Sequence, residues 1–330
     1  MKITAFHIIL FAILFWSCQS SETEVKVLRV GLSHSNSHSF TLALEEFKKE
    51  VETNTQGKIQ IKIYPSSQLG NESEMQEMLM IGSLDMALAG LVNNHEPLFS
   101  VLELPYLYEN REHVKAVNNG PILEDLARSL NKFGIRLIGW YENGFRHLTT
   151  SIKPIHQPED LNGLLIRTTE NMAHIQTIKA LGGIPTPLSY AELYTALTQG
   201  MVDGQENPLQ NIWTGKLYET QKYVAMTGHI FNCAYVLISE RTWNKLDKEQ
   251  QNIIRSAIKN SIEWQLAYLE KLEKELQEKI ELEGVEFTFP DKSLFKAKTL
   301  PVYDYFINLY GEDAENLINK INALKPSENN

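Results

Sequence analysis

Two arginines and a short polar segment carry the chemistry that stands out in this sequence. Arg146 and Arg167 precede a predicted helix, and residues 203–208 (DGQENP) follow it. A guanidinium presents a rigid fork of N–H donors that matches the two oxygens of a carboxylate, which the point charge of a lysine cannot do. Arginines at strand ends, together with an amide on a tight loop, therefore indicate binding of a small anion rather than catalysis.

Each of these residues also has a purely structural interpretation. Arg167 follows three apolar residues, so it is about as readily a core arginine neutralised by Glu170 or Glu206 as a ligand clamp. Arg146 is ambiguous in the same way, and Asn207 before a proline would by itself mark only a turn. Their order and spacing together favour binding.

Composition limits the class of protein. The chain has 330 residues and a formal net charge of −10 at pH 7, which argues against a nucleic-acid partner. A small acidic ligand is compatible with this net charge, because nearby arginines determine the electrostatic potential at a binding site. A chain of this length exceeds the size at which one core keeps growing, so we expect two domains of roughly 100–200 residues each.

The first residues resemble an export signal. One cation, Lys2, precedes an apolar stretch at residues 8–16 that is too short for a typical bilayer span. The ending FWSC resembles a bacterial lipobox, so we predict a signal peptide over residues 1–18, lipidation at Cys18 and a tether over residues 19–24. Trp16 is unusual in such a motif, and ordinary signal-peptidase cleavage is the alternative. Cys233 is the other cysteine, so no intramolecular disulfide is expected once Cys18 carries lipid.

Hydrophobic periodicity predicts alternating strands and helices. Strands are predicted at residues 25–33, 58–64, 84–88, 134–141 and 164–167, and helices at residues 40–51, 75–81, 171–181 and 189–200. This alternation predicts an α/β fold with a largely parallel sheet.

A long helix is predicted near the C-terminus. It begins after Asp247, where Gln250 completes a capping pattern, and continues to about residue 283. Such a helix would be roughly 55 Å long, longer than one domain, so we expect it to lie across both domains. A coiled-coil partner helix is the alternative, but the apolar stripe lacks clean heptads.

Motifs spread over nearly the whole mature chain resemble the substrate-binding proteins of tripartite ATP-independent periplasmic (TRAP) transporters, of the DctP and sialic-acid-binding type. They lie at residues 56–59 (QGKI), 64–70 (YPSSQLG), 82–85 (GSLD), 143–146 (NGFR), 160–167 (DLNGLLIR), 185–187 (PTP), 192–197 (ELYTAL), 203–208 (DGQENP) and 227–229 (TGH). The resemblance implies a two-lobed periplasmic-binding-protein fold with a long helix spanning both lobes. We predict lobe I at residues 25–144 plus 233–272, and lobe II at residues 145–232 plus 273–326.

The resemblance also implies roles for individual residues. Arg167 would pair with the ligand carboxylate, Arg146 would support or add to that contact, and Asn207 would complete the anchor. Tyr190 would pack on the body of the ligand. Further ligand-binding candidates, of which the last two are as readily structural, are His38, Asn71, Asn93, Asn171, His229 and Asn232.

One departure from the family pattern bears on the ligand. Sialic-acid-binding members place a carboxylate after the GSLD motif to bind sugar hydroxyls, whereas this chain has residues 89–94 (AGLVNN) there. Sialic acid is therefore not expected, and Asn93, His38 and Asn71 would offer neutral hydrogen bonds to a smaller or differently hydroxylated acid. A second carboxylate on the ligand would need Arg146.

No cofactor or metal is expected. His34 and His38 lie four residues apart outside a regular helix, with no nearby cysteine and no His-Glu-x-x-His motif, which is a poor zinc signature.

The predicted function is the capture of an organic acid (a C4-dicarboxylate, a sugar acid or a related carboxylate) for a TRAP transporter by hinge closure. The expected partners are the small and large membrane subunits, and the expected form is an extracytoplasmic or periplasmic monomer that contacts the membrane only through lipid. One alternative is a lipoprotein that presents its ligand to a sensor. Another is an enzyme in which Glu206, Glu142 and His229 supply acid–base chemistry, although no Gly-x-Ser-x-Gly, Walker or dinucleotide motif supports catalysis.

Overall fold

Nine strands form one continuous mixed sheet in the computed structural model, which describes residues 25–326. The predicted export signal, Cys18 and the tether lie outside these residues. Along the sheet the strand order is β2-β1-β3-β8-β4-β7-β5-β6, and β9 pairs with β8. The strands are β1 (Lys26–Gly31), β2 (Ile59–Tyr64), β3 (Met86–Ala89), β4 (Ile135–Thr150), β5 (Leu165–Thr168), β6 (Ile184–Pro187), β7 (Gly204–Asn207), β8 (Tyr223–Ser239) and β9 (Glu286–Thr288).

Helices cover the sheet. The capping box predicted at Asp247 with Gln250 forms, and a second forms at Ser189 with Glu192. A 3-10 helix, Pro97–Glu103, follows β3. The α-helices are α1 (Ser39–Asn54), α2 (Glu72–Ile81), α3 (Arg111–Asn118), α4 (Pro121–Leu130), α5 (Met172–Ala180), α6 (Tyr190–Thr198), α7 (Leu209–Thr214), α8 (Glu240–Trp243), α9 (Lys248–Leu282), α10 (Lys292–Tyr310) and α11 (Glu312–Asn322).

The sheet is parallel at its two ends and antiparallel in its middle. β1 pairs in parallel with β2 and β3, and β5 pairs in parallel with β6 and β7, as the alternating pattern predicts. The central strands β4 and β8 are antiparallel to each other and to their outer neighbours β7 and β3. The predicted parallel sheet is thus correct for each half, and two long antiparallel strands join the halves.

β4 is much longer than the sequence pattern predicts, and β8 is a long strand that was not predicted. β4 has 16 residues and continues well beyond the predicted end at residue 141, and β8 has 17 residues. The register between them shifts at Glu142/Gly144 and again at Arg146/Leu148, and Gly144 takes a φ of 118° that favours glycine. Bulges of this kind bend a strand and redirect its side chains. They lie where β4 passes from one half of the sheet to the other.

The long helix α9 has 35 residues and contacts both halves, as predicted. Its N-terminal part packs against α1, its middle crosses β4 and its C-terminal part packs against α7. At the crossing, a Cβ added to Gly139 would lie 2.3 Å from Cγ2 of Ile258. Glycine at this position therefore permits the close approach of helix and sheet.

The last two helices were not predicted from the sequence. α10 contains Pro301 in its interior and packs against α5, whereas α11 packs against α4 and the Pro97–Glu103 helix. The predicted lobe boundaries assign both helices to lobe II, and α11 contacts α10 as well as these two elements, which are assigned to lobe I. None of the helices described in residues 25–326 combines the length and the apolar character needed to cross a bilayer.

Candidate functional site

A cavity lies between the two halves of the molecule, near the ends of the strands. Its non-atom space is about 650 Å³, counting the part open to solvent. Six of the predicted ligand-binding residues line it: Arg146, Arg167, Asn207, Tyr190, Asn71 and Asn232. The other four, His38, Asn93, Asn171 and His229, are not among the lining residues.

Arg167 reaches the cavity from β5 and is only 1% exposed. Its Nε donates to the carbonyl oxygen of Leu188 at 2.9 Å, and Nη2 donates to the same oxygen. Its Nη1 is buried and has no hydrogen-bond partner in the described structure. Burial, together with the charge of Arg146, lowers the pKa of Arg167 to about 10, so the side chain remains charged at neutral pH. The cavity therefore contains a buried cation with one unused donor.

Arg146, from β4, is equally buried but already paired. Its Nη2 donates to Oε1 of Glu206 at 2.8 Å, and its Nε donates to the other carboxylate oxygen. Nη1 donates to Oδ1 of Asn232 at 3.3 Å. Of the two arginines that the sequence leaves open as core or clamp, Arg146 is the one that Glu206 neutralises.

Glu206 is the centre of a buried charge network. Its carboxylate also lies 3.3 Å from Nδ1 of His174 and 3.7 Å from Nε2 of His229. Burial raises the pKa of Glu206, but Arg146 and His174 outweigh burial and hold the pKa well below its usual range. Glu206 is therefore an anion at neutral pH, and its charge is used inside the protein.

Asn207, next to Glu206, is held by a chain of neutral hydrogen bonds. Asn211 donates to its Oδ1 at 3.0 Å, and Oδ1 of Asn211 lies 2.9 Å from Nε2 of His38. The backbone N–H of Phe40 donates to Nδ1 of His38 at 3.1 Å, so Nε2 carries the proton and donates. Burial lowers the pKa of His38 to about 4. His38 thus caps the start of α1, and its side chain supports Asn207 from behind the cavity wall.

Two stacked aromatic side chains form another part of the cavity wall. Tyr190, at the start of α6, stacks on His34 with ring centroids 4.7 Å apart and planes 24° apart. Both side chains line the cavity. Burial lowers the pKa of His34 well below its ordinary value, so the ring is neutral. His34 lies 4.3 Å from His38, and within residues 25–326 no group of three or more metal-ligating side chains surrounds a common point.

Three carboxylates that were not predicted as ligand-binding residues also line the cavity. Oε2 of Glu72 accepts from the backbone N–H groups of Gly90 at 2.8 Å and Leu91 at 3.1 Å. Residues 89–94 carry no acidic side chain of their own, but α2 supplies one to this segment. Burial raises the pKa of Glu72. Glu103 and Glu170 also line the cavity.

Most of the remaining predicted residues, Asn93 excepted, have identifiable local contacts. Asn71 forms a capping box with Glu74 at the start of α2, and Asn171 caps α5 through Ala173. Nδ1 of His229 lies 2.8 Å from the hydroxyl of Thr227, and its Nε2 has no hydrogen-bond partner in the described structure. Asn93 has a buried Oδ1 that likewise lacks a partner. Glu142, considered above as an acid–base group, pairs with Arg111 at 2.6 Å.

Asn143 is another residue that the analysis passed over. It belongs to the NGFR motif and lines the cavity, and its Oδ1 is buried without a hydrogen-bond partner. Its place in that motif was the available signal. For Glu72 no signal existed, because an acidic residue in the first turn of a helix is common wherever it complements the helix dipole.

The family described as bacterial extracellular solute-binding protein, family 7, matches residues 30–309. The chain belongs to this family. The family-7 protein is 33% identical over 96% of its length to the sialic acid-binding periplasmic protein SiaP of Vibrio cholerae, of which the match covers 98%.

Two solved family-7 relatives are TRAP periplasmic solute-binding proteins. One, from Haemophilus influenzae with bound L-gulonate, superposes with a TM-score of 0.87 at 33% identity, covering 91% of this chain and all of the other. A second, from Polaromonas sp. JS666 bound to D-erythronate, has a TM-score of 0.87 at 32% identity, covering 92% of this chain and all of the other. The family-7 protein therefore has the two-lobed α/β fold of TRAP solute-binding proteins, which are the binding components of transporters.

Proposed function

We propose that this family-7 protein captures a polyhydroxylated monocarboxylic acid, a sugar acid, outside the cytoplasm and delivers it to the small and large membrane subunits of a TRAP transporter. The observation that carries the proposal is the buried, unpartnered Nη1 of Arg167 at the cavity. A desolvated cation is costly unless it is paired, so the site favours an anion. A carboxylate is the anion that a guanidinium binds in two-point geometry.

A single carboxylate fits the charges of the cavity. Arg146 already donates to both oxygens of Glu206, and His34 is neutral. Among the described lining residues, Arg167 is therefore the cation with no carboxylate partner. A second ligand carboxylate would have to compete with Glu206 for Arg146, so we favour a monocarboxylate over a C4-dicarboxylate.

Hydroxyl groups fit the other end of the cavity. Glu72 uses Oε2 for its backbone bonds, which leaves Oε1 to accept from a ligand hydroxyl. Glu103, Asn71 and Asn232 add acceptors around it. Several oxygen acceptors facing one cation match an acid with several hydroxyls, in agreement with the L-gulonate and D-erythronate named for two relatives.

Capture proceeds by closure of the two lobes. We place the hinge near residues 144–145 of β4 and 232–233 of β8, beside the register shift at Glu142/Gly144. The ligand drives closure because Arg167 and Asn207 contact it from one lobe and Glu72 from the other, so it binds better to the closed state. In this mechanism the protein binds and releases its ligand unchanged. We also propose a monomer anchored by lipid at Cys18.

The proposal is tested by thermal unfolding of the chain from residue 19 onward, after any copurified ligand has been removed by unfolding and refolding. The panel contains L-gulonate, D-erythronate, D-galacturonate, sialic acid, succinate and malate. A ligand at 100 times its Kd adds about 2.7 kcal/mol of apparent stability. We expect a large shift with at least one sugar acid and a smaller one with the dicarboxylates. As a control, the variant Arg128→Lys, which changes an exposed surface arginine, should show the same ligand-induced shift in unfolding temperature as the wild type. No shift with any acid, or a preference for dicarboxylates, would overturn the proposal.

A further inference from the structure

A buried ion pair joins the two sides of the cavity. Glu103 ends the 3-10 helix that follows β3, and His174 lies in α5, which follows β5. These two strands belong to opposite halves of the sheet, with β8, β4 and β7 between them. Nε2 of His174 lies 2.5 Å from Oε2 of Glu103, and the two residues are 0% and 4% exposed.

The second ring nitrogen of His174 also faces oxygen. Nδ1 lies 3.0 Å from the hydroxyl of Thr169 and 3.3 Å from Oε1 of Glu206. A carboxylate only accepts hydrogen bonds, and a neutral imidazole has one N–H. Facing both Glu103 and Glu206, the ring satisfies both carboxylates only when it is charged.

We propose that the Glu103–His174 pair is a latch that holds the two lobes closed over the ligand and slows its release while His174 is charged. This rests on the function proposed above, in which closure holds the ligand. His174 does not line the cavity. It is therefore a positioning residue, which acts by holding Glu103 and the segment that carries it against the other lobe.

The charge of this pair sets it apart from the contacts on the other flank of the cavity. There, the start of α1 meets α7 through neutral bonds, from His38 to Asn211 at 2.9 Å and from Ser39 to Gln210 at 2.7 Å. A hydrogen bond between charged groups is roughly twice as strong as a neutral one. The Glu103–His174 pair is also the contact whose strength pH can change near neutrality.

The charges around His174 fix the direction of that change. Burial lowers the pKa of His174, but Glu206 from β7 and Glu103 more than offset this, and the pKa is raised above its ordinary 6.5. Behind Glu206 lie Arg146 from β4 and His229 from β8. β6 and α10 also pack against α5, and within residues 25–326 they make no ion pair with His174. A raised pKa means that the latch is complete below pH 6.5 and is lost as pH rises through the folded-state value.

The test measures ligand dissociation by stopped-flow fluorescence, with L-gulonate as the probe and the other sugar acids of the panel if it does not bind. The variants are Glu103→Gln, His174→Asn and their combination. Each single variant should release the ligand about tenfold faster, since a hydrogen bond to a charged group contributes on that order. The double variant should be no faster than the singles, because both changes remove one interaction. The control Glu159→Gln removes an exposed pair with Lys298 and leaves the rate unchanged.

The pH profile separates the latch from a merely structural pair and from direct contact of Glu103 with the ligand. Wild-type dissociation should accelerate as pH rises above 6.5, and Glu103→Gln should lose that dependence. If Glu103 acted only by contacting the ligand, the ligand would dissociate from His174→Asn at the wild-type rate. If His174→Asn fails to fold because Glu206 loses one of its two strong cationic partners, the pH profile of Glu103→Gln decides.

The outcomes distinguish this inference from the proposed function. Wild-type binding with unchanged rates and pH profile in Glu103→Gln would overturn the latch alone. Absence of binding of every acid by the wild type would overturn the proposed function, and the latch with it.

Discussion

Arg146 and Arg167 are of the same type, are each 1% exposed and line the same cavity, yet their surroundings differ. Glu206 engages Arg146 with both carboxylate oxygens, whereas Arg167 has a single carbonyl oxygen and an unused Nη1. The difference teaches that a buried arginine marks an anion site only where its charge is not already balanced. Residue type and burial alone do not distinguish a clamp from a core pair.

Strand register explains which arginine Glu206 neutralises. β5 pairs with β7 so that Arg167 lies opposite Gln205, and β4 pairs with β7 so that Leu148 lies opposite Glu206. Because side chains alternate along a strand, Glu206 points to the face opposite that of Gln205. Arg146 shares the face of Glu206, whereas in residues 25–326 the hydrogen bonds of Arg167 go to the Leu188 carbonyl and to no carboxylate.

Removal of Arg146 gives the largest expected effect. Arg146→Ala leaves Glu206 as a buried charge with too few partners, which costs about 3–5 kcal/mol of unfolding free energy. Urea unfolding of the ligand-free protein measures the loss. Arg128→Ala, at an exposed surface pair with Asp125, is the control and should change stability by at most about 0.5 kcal/mol. Equal stability of the two variants would contradict the assignment of Arg146 to the core.

Acid should weaken the chain of neutral hydrogen bonds by which His38 supports Asn207. His38 has a folded pKa of about 4, below its unfolded value of 6.5, so the unfolded state binds more protons between these pH values. Stability therefore falls as pH drops through this window, by up to about 3 kcal/mol from this group. His38→Asn keeps a capping side chain and should show a shallower fall in urea unfolding between pH 6.5 and 4. An unchanged slope would show that His38 is not held neutral. Glu206, with a pKa well below its usual range, is unaffected over most of this window.

Replacing the guanidinium of Arg167 should weaken ligand binding more than it lowers the stability of the fold. Arg167→Lys keeps the charge but loses the fork, and we expect about 100-fold weaker binding of the cognate sugar acid by calorimetry. Because no buried carboxylate in the described structure is hydrogen-bonded to Arg167, its replacement should destabilise the ligand-free protein less than Arg146→Ala does. Wild-type affinity in this variant would remove Arg167 as the anchor.

Removing the carboxylate partner of Arg146 should produce the smallest effect, a change in the preference between one and two ligand carboxylates. Glu206→Gln removes the counter-charge, so Arg146 becomes available to a second ligand carboxylate. We expect the affinity for succinate relative to a sugar acid to rise by about tenfold, the scale of one hydrogen bond to a charged group. Competition binding measures the ratio, and Glu170→Gln, at a cavity-lining carboxylate that pairs with neither arginine in the described structure, serves as the comparison. An unchanged ratio would mean that Glu206 does not set the preference for one carboxylate.

Local patterns predicted the elements with clear start and stop signals, such as α9 with its capping box at Asp247. They failed for β4, because its bulges and Gly144 interrupt the alternation beyond residue 141, and for α10, because an interior proline such as Pro301 normally ends a helix. The motifs located Arg146, Arg167 and Asn207. The resemblance assigned the carboxylate to Arg167, but the residue pattern by itself could not rank the two arginines, because the counter-charge lies 60 residues from Arg146 and its choice depends on register. Glu103 and His174, 71 residues apart, escaped notice for the same reason.

The pairing of β4 with β8 has a consequence for how the chain acquires its structure. Ile135 pairs with Ser239, about a hundred residues later, and β8 lies between β3 and β4 in the sheet. Contacts between such distant residues form slowly, because a long loop must close before they contribute. Neither lobe can complete its half of the sheet until residue 239 has been synthesised. We therefore expect the two lobes to fold together, late in synthesis, rather than one after the other.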